Sequence, residues 1–200
     1  AASVMSAPAA LVISKIIYPE IENSNTSGDI NIEIENTSSN AMEALGDGAS
    51  DGLKLAANVG AMLVAFISIV ALLNYIFGIV GTSIEEILSI IFKPLAWTMG
   101  VPWNEAGYVG TLMGEKIVFT ELIAFDDLQL MISKNQLSER SAIIASYALC
   151  GFANFGSIGI QLGGIGGIAP QRKKELAKLI TKAMIGGALA SWLTASVAGI

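Results

Sequence analysis

Long apolar runs in this chain alternate with short ones that charge or glycine interrupts. Ala1 to Pro19 is small and apolar, broken by Pro8, and slightly short of the ~20 residues a full span needs. It is either part of a helix that continues upstream or a shorter buried helix. Residues 20–52 are rich in Asn, Ser, Thr and Glu and predict a polar, solvated loop. Within it, Asn31 to Glu35 alternates as a strand would, and Ala41 to Leu55 suits a short interfacial helix leading into the next span. Residues 53–77 are the clearest transmembrane helix, since Ala56 to Phe77 carries no formal charge and Gly78 and Gly81 follow.

Shorter elements follow. Residues 84–98 are amphipathic: Glu85 and Glu86 lead an apolar run that ends at Lys93-Pro94, which fits an interfacial helix. Trp97 and Trp103 favour a membrane-water boundary. Residues 102–132 scatter Glu105, Glu115, Lys116, Glu121, Asp126 and Asp127 among apolar residues and are too polar for one span. Two apolar runs meeting near Phe119-Thr120 predict a re-entrant helical hairpin, which is allowed at depth where it is buried in protein or lines a cavity. Ser138 is a candidate N-cap for the next helix. Residues 139–168 form an apolar stretch in which Cys150 to Pro170 carries seven glycines together with Asn154, Ser157 and Gln161. A helix broken at membrane depth, with polar groups turned to a cavity, accounts for that mixture. Residues 175–200 are a final span. The expected architecture is therefore all-α and polytopic, with transmembrane helices, an interfacial helix, a re-entrant hairpin and a discontinuous helix.

Composition sharpens this picture. The chain is 53% hydrophobic and 14% charged, well below the ~25% charged residues of a soluble domain. The net charge of −6 sits largely outside the apolar runs and gives no support for nucleic acid as a partner, which needs clustered basic residues. One cysteine and no histidine exclude an intramolecular disulfide and disfavour zinc, copper or haem. The apolar start lacks a Met and a basic region, so it reads as a cut through a helix of a longer protein rather than a signal peptide. Arg172-Lys173-Lys174 lies between two apolar segments, so the positive-inside rule puts that loop in the cytoplasm. Counting crossings then brings the hairpin in from the outer side and leaves loop 20–52 inside.

Glu121 is the first candidate for function. An ionisable group among apolar residues at depth costs several kcal/mol unless paired or hydrated. The structural alternative is a salt bridge to Lys116. Asn154 and Ser157, at i and i+3, face one side of a helical turn, and interhelical hydrogen bonding is their alternative role. Gln161 lies one turn further on. The Gly163-Gly164 and Gly166-Gly167 pairs lack the strand and the Lys-Ser/Thr of a phosphate loop, so they predict close helix packing. No nucleophile and base pairing is visible, so an enzyme is not expected.

At P-W-N-E-A (102–106), T-E-L-I-A-F-D-D-L (120–128) and G-F-A-N-F-G-S-I-G-I (151–160), the chain resembles the C-terminal half of the concentrative nucleoside transporter family. That resemblance implies cation-coupled nucleoside uptake by alternating access, in a homotrimer within the cell membrane (the inner membrane in a bacterium). It implies substrate contacts from Glu121, to the ribose hydroxyls, from Asn154 and Ser157, and from Phe152 at the site's edge. Thr120, Gln161, Asn104 and Glu105 are secondary candidates, the last two equally suited to the hairpin entrance. No metal is expected in this chain: the co-transported sodium or proton is implied to bind in the other half, as is the nucleobase. The family pattern has Asn-Glu-Phe and Ser-Ser where this chain has Thr120-Glu121-Leu122 and Gly156-Ser157. The rival reading is a non-transporting fragment or membrane assembly module.

Overall fold

The computed structural model describes residues 1–21 and 39–200, and every regular element among them is helical. The strand expected at Asn31 to Glu35 lies outside the described residues.

The elements are α1 (Ala2–Ile17), α2 (Ala41–Ile79), α3 (Ile84–Thr98), α4 (Ala106–Val118), α5 (Glu121–Ser133), α6 (Glu139–Leu149), α7 (Phe155–Ile168), a 3-10 turn at Pro170–Arg172, and α8 (Lys173–Ala198). α2 corrects the polar-loop boundary at 52, because the helix begins at Ala41 and runs unbroken into the apolar span. Its start is set by reciprocal capping. Asn40 accepts from the Met42 and Glu43 amides at 3.0 and 2.9 Å, while the Glu43 carboxylate accepts from the Ser39 amide at 2.7 Å. These bonds satisfy donors that a helix start otherwise leaves unpaired. Gly46, Gly48 and Gly52 therefore lie inside a helix whose other residues carry it.

α2 and α8 are long and apolar enough to cross a membrane. α2 packs along α7, where glycine permits close approach: a Cβ on Gly159 would stand 3.0 Å from Met62 O, and one on Gly163 would stand 3.1 Å from Asn58 O. α1 packs on α8 at Gly186, beside Ile13 and Ile17.

α3, expected as an interfacial helix, runs antiparallel along α4. A Cβ on Gly110 would meet Ser89 O at 2.8 Å and Lys93 N at 2.9 Å, and one on Gly114 would meet Glu85 O at 3.0 Å. Asn74 holds the α2–α3 corner, donating to Glu85 at 2.6 Å and accepting from the Ile84 amide at 3.0 Å. The largest core gathers α3's end, both hairpin arms, α6 and the end of α8, with Met99, Leu112, Met113, Ile144 and Leu149 all buried.

The molecule has two distinct ends. Tyr18 of the α1 terminus meets Lys182 of α8, and Asn58 of α2 meets Gly163 and Gly167 of α7. The basic turn 170–174 shares that end. The hairpin's feet lie at the other, where Glu105 accepts from the Ser138 amide at 3.0 Å and from its hydroxyl at 2.8 Å. Arg140 there donates to Gly199 O beyond α8.

Candidate functional site

The hairpin arms α4 and α5 are separated by Phe119 and Thr120, so the chain reverses where the two apolar runs meet. Glu121 opens α5, with its carboxylate at that helix's own N-terminus, where the peptide dipoles favour negative charge. α6 ends at Leu149 and α7 restarts at Phe155. Between them the backbone turns sharply, with the Ala153 amide donating to Gly151 O at 2.9 Å. Glycine suits position 151 because its φ of +155° lies where L side chains are rarely found, and a Cβ there would also stand 3.3 Å from Ser191 Cβ.

The turn delivers Asn154 as the N-cap of α7. Its Oδ1 accepts from the Ser157 amide at 2.7 Å, and the Ser157 hydroxyl accepts from the Asn154 amide at 3.2 Å. That hydroxyl's own proton goes to Asn154 O at 2.6 Å. Both residues are fully buried, and the capping box fixes the Asn154 rotamer. The Asn154 amide nitrogen then donates to Glu121 Oε2 at 3.3 Å across 33 residues of sequence. Two helix N-termini, from α5 and α7, thus converge on one carboxylate. Half-helix ends meeting at an interruption are how membrane transport proteins present polar groups at depth.

The remaining sequence candidates fall in different places. Phe152 lies within the break with 52% of its surface exposed, so it can form an edge to an open site. Thr120 is the N-cap of α5, without a side-chain cap bond. Gln161 is half-buried on α7, seven residues on from Asn154. Asn104 and Glu105 stand at the hairpin's feet, a 13-residue helix and hence ~20 Å from Glu121. Glu105 there ties the hairpin to the start of α6. Among the described residues no cluster of His, Cys, Asp or Glu is placed to hold a metal ion.

Lys116 has a larger part than the salt bridge that spacing suggests. The ion pairs among the described residues are Lys15–Glu20, Lys54–Asp51 and Arg172–Glu175, and Lys116 is in none of them. Its side chain is fully buried, and Nζ donates to Ala148 O at 2.9 Å and to Ser191 Oγ at 2.8 Å. These partners lie 32 and 75 residues away, beyond any local pattern. The available signal was a single cation inside the hairpin's apolar run.

A helical hairpin facing a discontinuous helix, with polar groups at both interruptions, defines a membrane protein of the secondary-transporter class. The description "Na+ dependent nucleoside transporter C-terminus" matches residues 1–199. The chain belongs to that family of nucleoside transporters. It is 43% identical over its whole length to the uncharacterized transporter YutK of Bacillus subtilis, covering 51% of that protein. It is 40% identical to the nucleoside permease NupC of Helicobacter pylori, covering 50% of it. The solved structure of a double variant of CNTnw in an outward-facing state matches 99% of the chain at 38% identity with a TM-score of 0.87, over 49% of that chain. The chain spans about half the length of the relatives it matches, which are named as transporters and permeases rather than enzymes.

Proposed function

We propose that this chain is the ribose-holding half of a cation-coupled nucleoside transporter that works by alternating access. The observation that carries the reading is the Glu121–Asn154 contact between two helix N-termini. An ionised carboxylate accepts two hydroxyl hydrogen bonds, and the Asn154 amide has a second N–H to donate. A ribose, with vicinal hydroxyls that both donate and accept, matches that pair. Phe152 supplies an apolar edge. Ser157 orients Asn154 and joins the ligand by exchanging its bond to Asn154 O for one to a sugar oxygen. Thr120 and Gln161 flank this centre, while Asn104 and Glu105 brace the hairpin's feet.

The family membership and the name of the Helicobacter pylori relative support a nucleoside as substrate. The family description supports sodium as the coupling ion, with a proton as the alternative; in this reading the ion site and the nucleobase contacts fall to the other half of the transporter. The working unit is a homotrimer in the cell membrane, the inner membrane in a bacterium, with the basic turn 170–174 on the cytoplasmic side. Uptake of labelled uridine by the full-length transporter in proteoliposomes tests the site. Glu121→Gln is expected to lower uptake by about 100-fold or more, because the site was built to hydrogen-bond hydroxyls and loses its charged acceptor. Undiminished uptake would sink the assignment.

A further inference from the structure

Lys116 is the buried charge that the transport reading does not use. Its side chain has no exposed surface, and among the described residues no carboxylate lies within ion-pairing distance. A bare ammonium at membrane depth costs several kcal/mol unless something specific holds it. Ala148 O is one holder: it belongs to the last turn of α6, whose carbonyls lose their helical partners at the break. Ser191 Oγ on α8 is the other, and it passes its own proton to Ala188 O at 2.8 Å. An ammonium has three donors, and two of them are taken up by these acceptors among the described residues.

The placement of this charge is specific. Lys116 sits one turn before the hairpin's tip, and Glu121 is the first residue beyond the tip. A Cβ on Gly151 would be 3.8 Å from Nζ, so the ammonium lies directly under the break of the discontinuous helix. Glu121 is the carboxylate whose field reaches it. It thus touches the C-terminal end of one half-helix and α8 while facing the tip that carries the ligand-holding carboxylate. A C-cap for α6 alone would need only a neutral donor, as backbone caps supply elsewhere in the fold.

The geometry points to Lys116 as the positioning residue of the substrate site: its positive charge, clamped to Ala148 O and Ser191 Oγ, keeps the Glu121 carboxylate turned toward Asn154. This rests on the reading of Glu121 as the ribose acceptor. The clamp also joins hairpin, break and last helix at one atom, so the two halves of the site share a reference point.

The test is uptake by the full-length transporter with uridine and with 2′,3′-dideoxyuridine, which lacks the hydroxyls Glu121 would accept. Lys116→Met is expected to raise the uridine KM about tenfold with Vmax within about twofold, and to leave the dideoxy KM nearly unchanged. The preference for ribose then narrows by about the same factor. In a Glu121→Gln background the same substitution should add less than about threefold, because the group it serves is gone. A fall in Vmax alone with the ribose preference intact, or full additivity with Glu121→Gln, overturns the assignment. If Glu121→Gln by itself leaves uptake intact, the site reading fails instead, so the two failures are distinguishable. Should Lys116→Met not accumulate in the membrane, Ser191→Ala takes its place, keeping the charge and removing one anchor. A two- to threefold narrowing of the preference supports the role, and an unchanged preference overturns it.

Discussion

α2 and α4 are opposites. α2 is the most apolar long helix, yet of its 39 residues Val70 alone is buried. α4 has 13 residues, includes a glutamate and a lysine, and buries nine of them, with Lys116 among those fully enclosed. In water, hydropathy and burial go together. Here α2's apolar surface is turned outward, where lipid or further protein takes the place of a core. The hairpin arm is packed into protein, and its polar groups find partners there. Hydropathy along this chain therefore measures what surrounds a helix, while glycine and internal hydrogen bonds mark what lies inside.

The sharpest way to break that contrast is to add the same methyl group to each helix. Gly110→Ala in α4 places a Cβ 2.8 Å from Ser89 O and 2.9 Å from Lys93 N, both backbone atoms of α3. A loss of about 3 kcal/mol is expected, the upper range for overpacking, read as a lower Tm of the purified transporter in detergent. A next, smaller effect is expected for Asn154→Ala, which removes the α7 cap and the Glu121 contact: about 2 kcal/mol in the same assay, with uptake falling more steeply than stability. Ser138→Ala should cost about 1 kcal/mol, as it uncaps α6 and frees Glu105 at the hairpin's foot. Gly60→Ala in α2 has nothing within 4 Å to clash with. It should stabilise slightly, by at most about 1 kcal/mol through helix propensity. A large loss at Gly60, or none at Gly110, would dissolve the contrast between the two helices.

Much of this architecture was legible in the chain because local chemistry determines it. The hairpin tip at Phe119-Thr120 follows from two apolar runs that are each too short to cross, and the break follows from Gly151 and Asn154 inside an apolar stretch. The resemblance singled out Glu121 and Asn154, and the structure brings them into contact. What stayed hidden depends on distant residues or on the precedence of one bond over another. Ala41 to Leu55 reads as a separate short interfacial helix after a polar loop, but the Asn40–Glu43 cap and continuity with the span outweigh the penalty of three glycines and make it the start of α2. Asn154 and Ser157 read as two ligand groups on one face, whereas most of their polar atoms serve each other. The Lys116 clamp draws on Ala148 and Ser191, which no spacing rule connects to it.

The length of α2 sets a mechanical condition. Thirty-nine residues at 1.5 Å each make a rod of ~58 Å, against ~40–45 Å for a bilayer with its headgroups. Fitting it inside by leaning would take a tilt of about 40°, roughly twice the average for a membrane helix. Its first three turns, with Glu43, Asp47 and Asp51 among them, therefore stand in water as a rigid acidic post. Such a post works as a depth stop: drawing it into the bilayer would drag three carboxylates through the headgroups.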